Sequence, residues 1–226
     1  MTENDTVPSW PILSVNVGRK KTESFKGKEA VSGIYKHPAE GAAHVSPAGV
    51  SGDEVADLVH HGGPDKAVNV YSHAHYPHWE DVLGRKMAFG AFGENLTVGG
   101  LREEDVCVGD VFRAGTALLQ ISQPRVPCWK LAMKWGLDEL PALVTQRGAT
   151  GFYFRVLEEG EIRAGDVMTL ERRHPSSVTV AEANRVMHRD RNDQEGIRAL
   201  LALEDVLATS WKTPLASRLA RLQTGS

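Results

Sequence analysis

The segment Gln123-Pro124-Arg125-Val126-Pro127-Cys128-Trp129-Lys130-Leu131 gathers the chain's reactive chemistry around one thiol. Each proline fixes its own φ and restricts the residue before it, so the approach to Cys128 is stiff. An apolar run over 117–122 predicts a strand feeding this corner, and 129–135 predicts a helix leaving it. Cationic neighbours and a helix N-terminus both favour the thiolate. Such a sulfur is placed to act as a nucleophile or a metal ligand. The alternative is a small buried hydrophobe, the ordinary role of a free cysteine. The other cysteine, Cys107, stands in a turn among acids, which raise a thiol's pKa, and reads as structural.

A second segment, Val59-His60-His61-Gly62-Gly63-Pro64-Asp65-Lys66-Ala67-Val68, has the composition of an anion cradle. Gly62 and Gly63 permit close backbone approach, and their N–H groups can form a nest for phosphate. Lys66, His60 and His61 add positive charge. Arg125 offers a guanidinium that holds phosphate bidentately, with a surface salt bridge as its alternative role. Arg155 sits in Gly151-Phe152-Tyr153-Phe154-Arg155, an otherwise apolar strand, where a charge needs a partner. His73, His75 and His78 complete a histidine-rich stretch, so zinc is a competing idea. The spacing matches no HExxH helix, however, and Pro77 lies between His75 and His78.

These residues must be held by a strand-rich body. Residues 12–17 alternate as a first strand, 19–28 read as a flexible basic connection, and 29–36 as the returning strand. Residues 37–51 read as a loop with little structure. A short strand over 67–71 precedes a helix over 72–83, with Ser72 as a possible cap and Gly84 as a stop. Two stretches echo each other, Val108-Gly109-Asp110-Val111-Phe112 and Ala164-Gly165-Asp166-Val167-Met168. Each puts a Gly-Asp turn before an apolar strand, and Gly115-Thr116 signals a hairpin. Short strands with regular turns favour a barrel over a parallel sheet. Beyond Pro175-Ser176-Ser177 the periodicity turns helical. Thr179 with Glu182 forms a capping box, and further short helices are predicted over 194–203 and 213–222. Helices this short should dock on the barrel or on a partner.

Composition narrows the function. The chain of 226 residues is 41% hydrophobic and 24% charged, as ordinary globular proteins are. A net charge of −3 supplies no global attraction for nucleic acid or anionic membrane. The five tryptophans are scattered and not interleaved with basic residues, so no base-stacking platform is expected. No apolar stretch approaches the roughly 18 residues needed to span a bilayer. The polar N-terminus does not read as a secretory signal, and two cysteines make no disulfide framework; a cytoplasmic address is expected.

Taken in order and spacing, the cysteine corner, the His60–Lys66 cradle, Ala91-Phe92-Gly93-Glu94-Asn95-Leu96, Gly49-Val50-Ser51-Gly52-Asp53-Glu54 and Thr150-Gly151-Phe152-Tyr153 resemble the MOSC domain family, in its bacterial YiiM-like branch. The resemblance runs from about Pro11 to about Leu222. It implies a MOSC-type β-barrel over 10–173 and a three-helix C-terminal appendage over 177–222. It also implies molybdenum cofactor (Mo-molybdopterin), with Cys128 as metal ligand and catalytic centre. The cofactor-binding set would be His60, His61, Gly62, Lys66, Asn95, Ser122, Gln123, Arg125 and Arg155. Asn95, with Glu94, would meet the pterin edge, and Trp129 would line the pocket. The implied activity is reduction of N-hydroxylated small molecules, such as hydroxylaminopurines, with electrons from a separate reductase. The alternative is a cofactor carrier or sulfur-transfer protein using a persulfide on Cys128.

Overall fold

The computed structural model describes residues 7–57 and 61–224. Its strands are β1 (Ser9–Val17), β2 (Lys21–Phe25), β3 (Lys28–Ser32), β4 (His37–Pro38), β5 (Ala43–Ser46), β6 (Gly49–Val50), β7 (Val68–Ser72), β8 (Leu96–Val98), β9 (Val111–Ala114), β10 (Ala117–Pro124), β11 (Phe152–Glu158), β12 (Gly160–Ile162) and β13 (Val167–Arg172). The helices are α1 (Tyr76–Leu83), α2 (Trp129–Trp135), α3 (Leu140–Arg147), α4 (Val180–Asn184), α5 (Gln194–Leu201) and α6 (Thr209–Thr224).

The main sheet runs β13-β9-β10-β11-β7-β8-β1-β4, and β13 also pairs with β1. The ring therefore closes through β1, leaving β4 as a short extension. Closure removes the exposed sheet edges that otherwise invite aggregation. All of these pairings are antiparallel except β7 with β8. The barrel interior is filled by side chains such as Ile12, Val68, Val70, Leu119, Ile121, Phe152 and Phe154.

The period-2 geometry of strands decides what faces outward. In β7, Val68 and Val70 point into the barrel, so Asn69 and Tyr71 point out. Every residue of β7 is buried nonetheless, because the outer face is also covered. Tyr71 stacks on Phe92 at 4.1 Å and accepts from Trp79 Nε1 of α1 at 2.7 Å. In β11, Phe152 and Phe154 point in, so Tyr153 and Arg155 share the outer face. Residue 122 lies at a register irregularity between β10 and β11, the local kink expected of a bulge.

Gly151 opens β11 at φ +72°, a conformation L side chains rarely adopt. Its N–H donates to Glu103 Oε1 at 2.8 Å, and its carbonyl accepts from Arg125 N at 3.0 Å. A Cβ here would stand 2.3 Å from the Val70 carbonyl oxygen. Gly151→Ala is therefore expected to cost at least about 2 kcal/mol. That corresponds to a drop in melting temperature of roughly 4–8 °C for a chain of this size. An unchanged melting temperature would refute this reading of the turn.

The fold departs from the sequence expectations in the linking regions. The stretch read as a flexible connection over 19–28 is mostly a β2–β3 hairpin, with register Lys21↔Ser32 to Phe25↔Lys28. Lys26 and Gly27 both take positive φ (52° and 75°), as a type I′ turn requires. The loop over 37–51 holds β4, β5 and β6. The helix expected from 72 begins with a 3₁₀ turn, His73–His75, capped by the Ser72 hydroxyl accepting from Ala74 N at 3.2 Å. Thr179 does cap α4, accepting from Glu182 N at 3.0 Å, but the Glu182 carboxylate turns to Arg185 and not back to the cap. A five-residue π-helix, Arg185–Arg189, continues α4. Helix α6 starts one turn earlier than expected, with Pro214 inside it.

The C-terminal helices share a core built around Trp211, Leu215, Ile197 and Leu200, and Val108 of the barrel packs into it. No helix among the described residues is long and apolar enough to cross a membrane.

Candidate functional site

A cleft of about 860 Å³, its open mouth included, lies beside the outer face of β7 and β11. Cys128, Arg125, Lys66, His61, Gly62 and Asn95 all line it. Cys128 is the residue at which β10's exit turns into α2. Its backbone is extended (φ −121°, ψ 167°), its side chain caps nothing, and it is partly exposed. His60 lies outside the described residues. Lys36, Asp53, Asn69, Lys130 and Tyr153 also line the cleft; none of these five was singled out as a site residue by sequence.

One wall is a chain of buried polar groups. Lys36 and Asp53 form a buried ion pair. Asp53 also accepts from Gly18 N and from Asn95 Nδ2, each at 2.9 Å. Asn95 Oδ1 accepts from Asn69 N at 3.1 Å. Asn69 Nδ2 donates to the Gly93 carbonyl at 3.2 Å, which fixes the amide's orientation. Its Oδ1 is buried with no partner. Arg125, 5% exposed, likewise has a buried Nη1 with no partner. A native fold rarely leaves two such groups unsatisfied in one cleft unless something else completes them.

The electrostatics point the same way. Burial, reinforced by Lys130 and Arg125, pulls His61 down to about 4. Burial lowers Lys66, against the pull of Asp65 and Asp57. Burial raises the Tyr153 phenol, Arg125 opposes that rise, and Cys128 adds to it. Cations therefore crowd the cysteine end. Of the three carboxylates on the cleft, Asp53 is held by Lys36, Glu54 accepts from Lys20 N at 2.8 Å, and Asp57 acts on His61 and Lys66.

The depressed His61 value has a thermodynamic consequence. The unfolded chain takes up a proton as pH falls from 6.5 toward about 4, and the folded chain does not until about 4. Stability therefore declines through that window. In urea titrations at pH 7, 5.5 and 4.5, His61→Gln is expected to lose midpoint less steeply than wild type. Parallel curves for the two chains would rule out a buried neutral imidazole.

Four expected site residues do other work. Asn95 lines the cleft and braces its wall, with both amide N–H groups given to Asn16 and Asp53 and its Oδ1 accepting from Asn69 N. Arg155 does not reach the cleft. It binds Asp65 at 2.8 Å, Gln120 Oε1 at 3.1 Å, and the carbonyls of Asp205 and Val206 at 3.2 and 2.8 Å. The partner its buried charge required is Asp65. The Ser122 hydroxyl donates to the Asp65 carbonyl, and Ser122's own carbonyl accepts from Ala208 N at 3.0 Å. Gln123 Oε1 accepts from Ser210 Oγ at 2.7 Å. Ser122, Gln123 and Arg155 thus bind the anion loop and barrel to the C-terminal helices.

Glu94 also faces inward. It accepts from Phe92 N at 2.9 Å, Gly90 N at 3.1 Å, Thr97 Oγ1 at 2.8 Å and the Tyr76 hydroxyl. Trp129 is 49% exposed and stacks on Phe25 of the hairpin at 5.8 Å, away from the cleft. His75 pairs with Glu103 at 2.8 Å, and among the described residues no three His, Cys, Asp or Glu side chains are grouped to hold a metal.

A closed barrel with a cysteine at the rim of a cation-rich cleft, and helices fastened behind it, matches known proteins. The chain belongs to the MOSC domain family, whose pattern it matches over residues 57–169. Residues 178–222 match the YiiM-like, 3-alpha helix domain. The chain is 46% identical over 213 residues to YflK of Bacillus subtilis (strain 168), covering 94% of this chain and 96% of that one. The crystal structure of YiiM from Geobacillus stearothermophilus superposes with a TM-score of 0.79 at 37% identity, covering 94% of this chain and all of that one. A protein named Reductase from Gibberella moniliformis (strain M3125 / FGSC 7600) is 36% identical over 190 residues, which cover 81% of this chain but 34% of the fungal one.

Proposed function

We propose that this chain binds molybdenum cofactor through Cys128 and reduces N-hydroxylated compounds to the amine and water. The observation carrying this reading is the meeting of Cys128, Arg125 and Asn69 on one cleft, the last two each with an unpartnered buried polar atom. A soft thiolate suits a metal already held by sulfur ligands. Arg125 Nη1 and the ammonium groups of Lys66 and Lys130 are donors for a phosphate, alongside the backbone of Gly62 and Gly63. Asn69 Oδ1 is an acceptor for the amino edge of a pterin. When bound, the cofactor supplies two-electron oxygen-transfer chemistry.

The protein's own contribution is positioning and proton supply. Tyr153, held protonated by burial, lies beside Cys128 and Arg125. Its phenol can donate a proton to the hydroxyl oxygen of the substrate as the N–O bond breaks. The net reaction is R–NHOH plus two electrons and two protons giving R–NH₂ and water. Electrons come from a separate reductase in the cytoplasm. A relative named Reductase, of which this chain covers 34%, supports a reductive activity.

The test is to express the chain in a host that makes molybdenum cofactor, measure molybdenum by elemental analysis, and assay hydroxylaminopurine with reduced methyl viologen. Stoichiometric metal with formation of the aminopurine is expected. Stable metal without N-reduction favours the carrier reading, in which Cys128 bears a persulfide. Zinc at one atom per chain that survives Cys128→Ala would overturn both.

A further inference from the structure

We propose that the arginine-rich groove on the C-terminal helices docks an acidic redox protein that delivers electrons to the Cys128 site; this rests on the reductase reading above. The groove lies between the end of the π-helix and α6 and is lined by Arg189, Arg191, Arg218 and Arg221, with Asp190 and Asp193 on the same wall. Among the described residues none of the four has a carboxylate within ion-pair distance, whereas Arg185 next to them holds three. It binds Glu182 at 2.6 Å, Asp193 at 2.5 Å, and Asp190. Arg185 orients these acids but neutralises one charge of the three, so five arginines face three carboxylates here and the groove keeps a net positive excess of two. Burial holds Arg218 below the usual guanidinium range, and Arg191 and Arg221 act in the same direction. Arg218 is fixed in place by donating to the Val186 and Met187 carbonyls at 3.1 and 3.2 Å.

The groove's position decides what it serves. Arg189 also lines an adjoining groove whose far side is Pro127, the residue before Cys128. His188, in the same wall, has a buried Nε2 with no partner. The wall itself is the π-helix Arg185–Arg189, closed by Asp190 N donating to the Arg185 carbonyl at 2.8 Å. Such one-turn π insertions concentrate at functional sites. A net-positive groove whose Arg189 also borders the groove reaching Pro127 fits an acidic electron carrier. A nucleic acid would need a wider basic face, and the chain as a whole is negative.

The chemistry balances with a flavoprotein as donor. Its two-electron-reduced flavin gives up two electrons and two protons, which convert R–NHOH to R–NH₂ and water.

The experiment uses the full cofactor-loaded chain, an acidic flavodoxin as donor, and reduced methyl viologen as a small donor that needs no docking surface. Flavodoxin binding by calorimetry and flavodoxin-driven turnover are compared between wild type and an Arg189→Glu, Arg191→Glu, Arg221→Glu variant. The exposed sites make misfolding avoidable, and the milder Arg189→Gln, Arg221→Gln variant guards against it. Charge reversal is expected to weaken flavodoxin affinity and raise its KM by at least about tenfold, with wild type converging on the variant at high salt. Viologen-driven turnover is expected to be unchanged. Equal flavodoxin affinity and KM in wild type and variants overturns the docking proposal, as does wild type turning over with viologen but not with flavodoxin. Absence of turnover with viologen in the wild type instead defeats the reductase reading. Binding of a duplex oligonucleotide at physiological salt, lost in the variants, assigns the groove to nucleic acid and also overturns the proposal.

Discussion

Cys128→Ser, made in a host that supplies molybdenum cofactor, is expected to purify with at least about a hundredfold less molybdenum than wild type. The oxygen of serine is a hard, weakly acidic donor, and the position asks for a soft thiolate. The rest of the cleft is untouched by this change, so the loss reports on the metal bond alone. Stability should barely move. The Cys128 side chain makes no capping bond and is partly exposed, and substitutions at such positions usually stay within about 0.5 kcal/mol. A variant that keeps its molybdenum at wild-type stoichiometry would end the assignment of Cys128 as ligand. A variant that loses metal and also melts far below wild type would show the sulfur to be structural.

Arg125→Leu tests the proposed phosphate contact in the same cleft. Arg125 is buried with an unpartnered Nη1 in a cleft already holding Lys66 and Lys130. Removing an uncompensated buried cation and filling its volume with an aliphatic chain is often neutral or stabilising. The metal-free variant is therefore expected to melt no lower than metal-free wild type, while cofactor retention after dialysis falls by at least about tenfold. A second readout is independent of the cofactor. Arg125 is among the cations that depress His61 from 6.5 to about 4 and Lys134 to about 8. Burial is the larger cause in both, so both groups should move part of the way upward in an NMR titration of Arg125→Leu. If neither moves and the cofactor stays, Arg125 is a packing residue and not an anchor.

Much of the architecture was legible because strands with one buried face write that face into the sequence. Residues 117–122, 152–156 and 167–170 alternate or run apolar because their inner side chains fill the barrel. The β2–β3 ribbon was invisible for the converse reason. Lys21, Thr22, Glu23 and Ser24 pair with β3 while remaining largely exposed, so no apolar alternation marks them. Only the Lys26-Gly27 turn betrayed a hairpin. Strands β4 and β6 are two residues long and exist through tertiary pairing alone. At the site, Cys128, Arg125, His61, Gly62 and Lys66 were legible because two rigid segments carry them side by side. For Arg155 the sequence announced a buried charge that needs a partner but not which one, and it gave no sign that the side chains of Ser122 and Gln123 turn to Asp65 and Ser210. Asp65 and the carbonyls of Asp205 and Val206 are far away in sequence. Asn69 left a usable trace, an amide inside the run Val68-Asn69-Val70-Tyr71, where an apolar residue would have been cheaper to bury.

The grip on Asp65 ties the fate of the anion loop to the far end of the chain. Arg155 holds the Asp65 carboxylate and the 205–206 backbone with one guanidinium, and Ser122 clasps the Asp65 carbonyl while receiving Ala208. Peeling the terminal helices away, by a protease cut in the 174–177 connector or by mild heating, strips the 205–208 contacts from Arg155 and Ser122 and leaves their own bonds to Asp65 in place. The 62–66 turn then loses its bracing against the helices and keeps only its attachment to the barrel. For the cofactor proposed above, retention is expected to fall once the helices are released, although none of their described side chains lines the cleft.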